Sequence, residues 1–185
     1  MEFKKSNITI HMVASLDGFI AKKDNNIDWF ETTDNYDKGI LEQDVAENYK
    51  TIDCYIMGAN TYQFAMELSN QHGWVYGTIP TFVITNKQFF DNRKNIFFYG
   101  GDLIHFVQHT IKPTYKNIWV VGGPTLIQQF IELNLVDEIH MSILPILLGE
   151  GIAFFNQIKQ EQSLHLKDVI AYKTGIVALC YTIKR

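Results

Sequence analysis

Short apolar runs that end in glycine and open directly into a helical segment constrain this chain more than any other feature of its sequence. Residues 118–121 (IWVV) end in two glycines, and Pro124 begins a segment with helical spacing. Residues 54–57 (CYIM) end at Gly58 in the same way, just before another such segment. Strands that feed helices in this manner are typical of an α/β sheet, because parallel strands need a crossover connection.

The remaining apolar runs continue this alternation of strand and helix. Further strands are predicted at residues 8–14, 18–21, 81–85, 95–99 and 138–144, and helices at residues 36–49, 61–68, 103–111 (stopped by Pro113) and 124–133. Residues 163–172 and 176–183 predict a closing antiparallel hairpin. The length suits a single domain over residues 1–185, so the predicted fold class is α/β, with one mixed sheet and flanking helices.

Composition and charge exclude several classes of function. The chain has 185 residues, of which 46% are hydrophobic and 19% charged, with a net charge of −4. We expect no nucleic-acid partner, because such a surface needs clustered Lys and Arg. The apolar stretch at residues 8–14 is too short, and too soon followed by Asp17, for a signal peptide or membrane span. The sequence therefore predicts a cytoplasmic protein with no membrane partner.

The cysteines and histidines do not predict a metal site. Cys54 and Cys180 are flanked by apolar strand-like residues and are interpreted as reduced core thiols. None of the six histidines pairs with cysteine or carboxylates at ligand spacing. His105 and His109 lie four residues apart on a short predicted helix, but no clear third ligand accompanies them. We expect no metal.

The two glycine-bearing strand ends are the best candidates for a ligand site. Without Cβ atoms a phosphate can approach the backbone, and the N–H groups of the following helix point at the anion. The alternative is a tight turn in which glycine only relieves crowding and Asn60 or Thr61 caps the helix. Two such ends in one sheet favour a cofactor crevice, because ligands gather outside the carboxyl ends of strands.

Several motifs, spread in order over nearly the whole chain, resemble the dihydrofolate reductase superfamily. They are residues 12–21 (MVASLDGFIA), 28–29 (DW), 58–62 (GANTY) and 121–123 (VGG). Residues 135–138 (LVDE) and 144–151 (LPILLGEG) are most similar to the reductase domain of the riboflavin-biosynthesis deaminase–reductases and its stand-alone bacterial relatives. The resemblance implies a three-layer fold with a mostly parallel sheet of eight or nine strands, NADPH as hydride donor, and a homodimer.

The resemblance also implies a set of cofactor-binding residues. Val13 and Ile20 would flank the nicotinamide, mainly through backbone groups. Residues 85–87 (Thr85, Asn86 and Lys87) would lie near the adenine ribose. The glycine strand ends would meet the phosphates, the ribose and the nicotinamide side through Gly58, Asn60, Thr61, Gly122, Gly123, Pro124, Thr125 and Leu126.

One residue departs from the pattern of the superfamily. Many relatives carry Arg directly after the glycine that corresponds to Gly58, where it pairs with the 2′-phosphate of the cofactor; this chain has Ala59. Arg forms two parallel charge-assisted hydrogen bonds with a phosphate, which Ala cannot form. Lys87 could supply the charge or simply be solvated in its loop. NADPH is therefore the expected cofactor, with NADH not excluded.

The group that handles the proton is expected on the first predicted helix, where folate reductases carry a carboxylate. Counting back from Gly58 without gaps gives Glu42, whereas the helical wheel places Asp44 within the apolar face. Burial raises the pKa of a carboxyl group, so Asp44 is the first candidate and Glu42 the second. The alternative is that both are solvent-facing helix acids.

Ser142 corresponds to a hydroxyl that touches the substrate in the family. The alternative is that its side chain pairs with the backbone. Asp17 is interpreted as a structural turn residue.

These observations predict an NAD(P)H-dependent reductase that transfers hydride from NADPH to a small pterin-, pyrimidine- or ribosylamino-type substrate. No His-x-Glu with a Cys-x-x-Cys pair occurs, so riboflavin biosynthesis by an attached deaminase is not indicated and the substrate stays open. The alternative is a non-catalytic nicotinamide-nucleotide-binding protein of the same fold, suggested by Ala59 and the ambiguous proton donor.

Overall fold

The computed structural model describes residues 6–31, 34–41 and 51–185. The strands are β1 (Asn7–Ser15), β2 (Phe19–Ala21), β3 (Cys54–Gly58), β4 (Thr81–Ile84), β5 (Ile96–Tyr99), β6 (Asn117–Gly122), β7 (Glu138–Leu144), β8 (Ile152–Ala153), β9 (Leu164–Ala171) and β10 (Val177–Ile183). The helices are α1 (Ala59–His72), α2 (Leu103–Phe106, continued by the π turn Val107–Ile111 and by Lys112–Thr114) and α3 (Pro124–Glu132).

Eight strands form one sheet in the order β5-β4-β3-β6-β1-β7-β10-β9, and β2 pairs with β8 in a separate ribbon. The six strands from β5 to β7 are mutually parallel. Helices α1, α2 and α3 form the crossovers from β3 to β4, from β5 to β6 and from β6 to β7. The C-terminal hairpin adds β10 and β9 antiparallel at the edge. The predicted α/β fold, mostly parallel with an antiparallel C-terminal hairpin, is confirmed.

The larger core lies between one face of the sheet and helices α2 and α3. Ile8 and Ile10 of β1 are fully buried there against Ile127 and Phe130 of α3. The spacing of the α3 residues places an apolar stripe against the sheet. A second cluster on the opposite face is built around Met57 and packs under α1. The sheet is thus covered on both faces at its parallel end, which explains why those strands are nearly continuous apolar runs.

The predicted helix at residues 36–49 is wrong in its described part. Residues 36–41 form a turn and an extended segment, and Ile40 makes a parallel bridge with Tyr172. The Ile40 N–H donates to the carbonyl of Ala171 at 3.0 Å, and Lys173 N–H donates to the carbonyl of Ile40 at 2.9 Å. These long-range bonds satisfy the backbone groups that a helix would have used, so pairing with the hairpin overrides the local helical spacing. Residues 42–49 lie outside the described residues.

Two further helix predictions differ from the structure. Pro113 does not stop α2 before it, because the helix continues through Pro113 and ends at Thr114. Helix α1 is longer than the predicted 61–68, because it begins at Ala59 and ends at His72. Its C-cap residue Gly73 adopts φ +75° and donates its N–H to the carbonyl of Ser69 at 2.9 Å. Among the described residues, no helix combines the length and hydrophobicity that a membrane span requires.

Candidate active site

A cleft of about 1180 Å³ opens at the carboxyl ends of the parallel strands. Pockets for drug-sized ligands occupy roughly 300–1,000 Å³, so this cleft has room for a dinucleotide. Most of the predicted cofactor residues line it, namely Val13, Ile20, Gly58, Asn60, Thr61, Thr85, Asn86, Gly123, Pro124, Thr125 and Leu126. Gly122 instead lies nearest to Met12 and Ile127, beside the core, and Lys87 is exposed outside the cleft lining.

The two glycine strand ends lie side by side at the centre of the cleft. Met57 of β3 pairs with Gly122 of β6, which has φ +125°, a conformation that favours glycine. A Cβ placed on Gly58 would lie 3.6 Å from the carbonyl oxygen of Gly122 and 3.7 Å from the nitrogen of Gly123. A larger side chain at Gly58 would therefore fill the space between the two loops.

Both helices that follow these glycines begin at the cleft without a capping side chain. The N-cap residues of α1 and α3 are Gly58 and Gly123, and neither helix has a side-chain cap hydrogen bond. Asn60 and Thr61, the alternative caps, line the cleft instead. Because glycine has no side-chain oxygen to accept hydrogen bonds, the first N–H groups of α1 stay uncapped. They face the cleft together with the positive end of the helix dipole. This is the arrangement that binds phosphate.

A third glycine-bearing strand end, which sequence reasoning missed, also lines the cleft. Gly100 and Gly101 separate β5 from α2, so the strand–glycine–glycine–helix pattern was available as a signal. A Cβ on Gly100 would lie 2.8 Å from the backbone carbonyl oxygen of Thr85, so only glycine fits this close approach. The start of α2 differs from the other two, because the Asp102 carboxylate caps it by accepting from the His105 N–H at 2.6 Å.

The charge of the cleft bears directly on the 2′-phosphate. Among the described residues that line it, none is Lys or Arg, whereas Asp102 and Glu132 are acidic. Ala59 lines the cleft at the start of α1, the position at which the resemblance implies an arginine. The described lining residues thus provide no cation that replaces that arginine.

A second cavity of about 350 Å³ lies on the opposite face of the sheet from α2 and α3, and shares His11 and Trp119 with the cleft. Ser142 lines this cavity and pairs with Val13 across β7 and β1. Its Oγ lies 3.4 Å from Nε2 of His11. Ser142, the residue predicted to touch the substrate, therefore lies on the strand next to Val13, a predicted nicotinamide contact. Glu42 and Asp44, the predicted proton-handling carboxylates, lie outside the described residues.

His11 is a site residue that the sequence analysis missed. Its ring lies 5.0 Å from the ring of Trp119, between the two cavities. Burial, and to a lesser degree the neighbouring His140, lower the pKa of His11 to about 4, so the imidazole is neutral at pH 7. The sequence feature that could have identified His11 is the alternation of side-chain direction along β1. This alternation places His11 on the same face of the strand as Val13, a predicted cofactor contact.

The structure corrects the interpretation of the histidines and of Cys180. Cys54 is fully buried in the core, but Cys180 is half-buried and lines the second cavity. Its Sγ lies 2.9 Å from Nε2 of His140, which in turn lies 2.9 Å from Oε2 of Glu138. Sequence spacing alone did not indicate this group, because Cys180 on β10 is 40 residues from His140 and is adjacent to it only in the sheet.

Comparison with known proteins relates this architecture to two groups of reductases. A family model of the RibD C-terminal domain matches residues 6–178. The uncharacterized protein YwjB of Bacillus subtilis (strain 168) is 28% identical over 158 residues, which cover 85% of this chain and 87% of YwjB.

Solved structures agree with that match. A protein of Shewanella sp. PV-4, whose name links it to riboflavin biosynthesis, superposes with a TM-score of 0.81 at 25% identity, covering 97% of this chain and 99% of that one. A dihydrofolate reductase of Enterococcus faecalis, complexed with NADP(H), superposes with a TM-score of 0.58 at 15% identity, covering 97% of each chain. The predicted dihydrofolate-reductase-like fold is confirmed.

Proposed function

This chain belongs to the family of the RibD C-terminal domain, and from that membership we propose that it is a reductase using a nicotinamide dinucleotide. The substrate class proposed is a small pterin, pyrimidine or ribosylamino compound. The observation that carries the proposal is the pair of adjacent glycine strand ends, Gly58 and Gly122-Gly123, with the uncapped start of α1 opening into a cleft of about 1180 Å³.

The residues present fit such a cofactor. The space beside Gly58, which a side chain would fill, lets a pyrophosphate approach the backbone of both loops. The first N–H groups of α1 and the hydroxyls of Thr61 and Thr125 then supply donors to the phosphate oxygens. When bound, the cofactor supplies the hydride, and the chain supplies its position and surroundings.

In this proposal the nicotinamide lies beside Val13 and Ile20, next to the face of β1 that carries His11; all three residues line the cleft. His11 is neutral at pH 7, so it serves there as a hydrogen-bond partner that orients the hydride acceptor together with Ser142. Proton transfer stays with the predicted carboxylate, Asp44 or Glu42. The substrate would lie between the nicotinamide and the pair His11 and Ser142, in the second cavity.

The cofactor preference follows from the charge of the lining. NADPH is the form implied by the resemblance, but a 2′-phosphate gains its affinity from a paired cation. The described lining residues include no Lys or Arg, and Asp102 is acidic. We therefore propose that NADH and NADPH bind with comparable affinity.

Melting curves with each cofactor, followed by turnover assays, test the proposal. A ligand at 100 times its Kd stabilises the folded chain by about 2.7 kcal/mol, which raises Tm by roughly 5–10 °C for a domain of this size. Both NADH and NADPH should give this shift. The variant Gly58→Val should lose it, because the side chain fills the phosphate cradle while its extended backbone (φ −83°) accepts valine.

Cofactor oxidation is then measured with dihydrofolate and with a ribosylamino-pyrimidinone. Turnover with either substrate supports the reductase, and the substrate that reacts identifies the class. A Tm shift without turnover on either compound would favour the alternative, a non-catalytic nicotinamide-nucleotide-binding protein. The absence of a shift with both cofactors would refute cofactor binding itself.

A further inference from the structure

Three side chains with different donor atoms converge on the wall of the second cavity. Glu138 and His140 lie on β7, and Cys180 lies directly opposite His140 on β10. The Cys180 Sγ is 2.9 Å from Nε2 of His140 and 4.0 Å from Oε2 of Glu138, and that Oε2 is 2.9 Å from the same Nε2. A thiol, an imidazole and a carboxylate therefore surround one point.

Hydrogen bonding alone does not explain this arrangement. A neutral imidazole nitrogen has either one hydrogen or one lone pair, so Nε2 of His140 can make a single good bond. In a Cys–His–carboxylate nucleophile, one ring nitrogen faces the sulfur and the other faces the carboxylate. Here one nitrogen faces both groups. A cation at the centre, by contrast, would use all three donors at once.

We propose that Glu138, His140 and Cys180 form a Zn²⁺ site with three protein ligands. Tetrahedral zinc holds thiolate, imidazole and carboxylate donors at about 2.0–2.3 Å, which sets the donor–donor separations at roughly 3.3–3.8 Å. The observed separations of 2.9, 2.9 and 4.0 Å bracket that range, so sub-ångström shifts complete the geometry. Sulfur and nitrogen donors favour zinc over Mg²⁺ or Ca²⁺, which take oxygen ligands.

The neighbours of the cluster are consistent with a bound divalent cation. Lys167 donates from Nζ to Oε1 of Glu138 at 2.6 Å, so it orients the carboxylate and leaves Oε2 toward the centre. Such outer contacts are typical of metal ligands. The cavity of about 350 Å³ beside the cluster gives a fourth position for water or a small ligand. The zinc site does not depend on the proposed reductase activity.

Cobalt substitution in the tag-free, chelator-treated chain tests the site. Co²⁺ should bind one ion per chain and give a near-ultraviolet thiolate-to-cobalt band together with intense visible bands of tetrahedral cobalt. Added Zn²⁺ should abolish both by displacing the cobalt, and should raise the Tm of the apo chain. The far-ultraviolet circular dichroism spectrum confirms that each variant is folded.

Two ligand variants and one control separate this site from adventitious binding. Cys180→Ser should lose the near-ultraviolet band, and His140→Ala should weaken Zn²⁺ binding by at least about 100-fold, since outer-shell changes alone cost 10–100-fold. His140 has 40% of its side chain exposed, so its removal spares the core. Cys54→Ala removes the other thiol, in the core, and should leave the spectrum unchanged. Weak octahedral cobalt bands in the wild type, or a thiolate band that survives in Cys180→Ser, would overturn the proposal.

Discussion

In the proposed cofactor site, Ala59 is the residue that bears on the choice between NADH and NADPH. It is the first residue of α1, it lines the cleft, and it directly follows Gly58. A guanidinium at this position would reach a 2′-phosphate with two charge-assisted hydrogen bonds, whereas a methyl group cannot. We therefore expect that a single substitution at this position gives the site a preference for NADPH without altering the fold.

The substitution Ala59→Arg should tighten NADPH binding by about tenfold or more, because a hydrogen bond to a charged group contributes about 1.5–3 kcal/mol. NADH affinity should change by less than about twofold, because NADH lacks the phosphate. Quenching of the fluorescence of Trp119, which lines the cleft, measures both Kd values. Ala59→Gln is the matched control, since it adds length without charge; equal tightening by Gln would contradict the electrostatic explanation.

Asp91 is the most strongly perturbed described carboxylate outside the site. Only 4% of its side chain is exposed, and it accepts hydrogen bonds from Arg93 at 2.6 Å and from the Tyr62 hydroxyl at 2.6 Å. The Arg93 guanidinium also stacks 4.2 Å from the ring centroid of Trp74. The Arg93 hydrogen bonds, helped by Tyr62, lower the pKa of Asp91 to about 2.

This shift predicts a pH-dependent contribution to stability. The folded pKa of Asp91 is below the unfolded value of 3.8, so its contribution of about 2 kcal/mol is complete above pH 4 and is lost as the pH falls toward 2. Urea unfolding of wild type and Asp91→Asn should differ by that amount at pH 7 and converge near pH 2. Glu161→Gln, at an exposed position, serves as control. A difference that is constant with pH would refute this account.

At the scale of elements, Asp17 joins the turn after β1 to the loop after β7. Its carboxylate accepts from the Ser15 hydroxyl at 2.6 Å and from the N–H groups of Leu148 and Gly149 at 3.1 and 2.7 Å. These two loops carry β2 and β8, whose residues Ile20 and Ile152 line the cleft. The predicted structural role of Asp17 thus consists of a contact between distant loops.

Removal of this carboxylate should loosen the loop while the sheet stays folded. In Asp17→Ala, amide exchange at Leu148 and Gly149 should accelerate by about tenfold or more, because the side chain that holds those N–H groups is gone. Amides of α3 should exchange at the wild-type rate. Asp24→Ala is the control, because Asp24 caps only its own turn at Asn26. Unchanged exchange in Asp17→Ala would show that other contacts hold the loop.

At the scale of the whole molecule, the C-terminal hairpin leaves an apolar edge. Strand β9 is the last strand of the sheet, and its Leu164, Leu166 and Val169 are 37%, 47% and 49% exposed. An edge strand that presents both unpaired backbone groups and large apolar side chains is a template for pairing with another chain. We expect this edge to be the contact of the homodimer that the resemblance implies.

The expected mass in solution is therefore twice the 21.4 kDa of one chain, measured by light scattering after gel filtration. Val169→Lys should shift the mass toward the monomer, because it introduces a charge into the apolar edge. Val75→Lys, also at an exposed valine but in the loop after α1, should stay dimeric. A monomeric wild type, or a dimer that resists Val169→Lys, would refute this interface.

The parallel strands and α3 could be predicted closely because each is determined by local pattern. Strand β7 was predicted with its observed ends, and the apolar run of β6 was predicted within one residue at each end. Residues 36–41 and strand β8 could not be predicted in this way, because their structure depends on backbone partners more than 100 residues away in the sequence. Local spacing contains no information about such partners.

The sequence by itself determined the α/β class, two of the strand ends that carry glycine, and many of the residues that line the cleft. Those features depend on short-range physics: apolar periodicity, the missing Cβ of glycine, and helix starts next to strand ends. Only the tertiary structure decided which of these ends adjoin, that His11 lies between the cavities, and that Glu138, His140 and Cys180 converge. Distances between side chains on different strands follow from sheet register, which long-range packing sets.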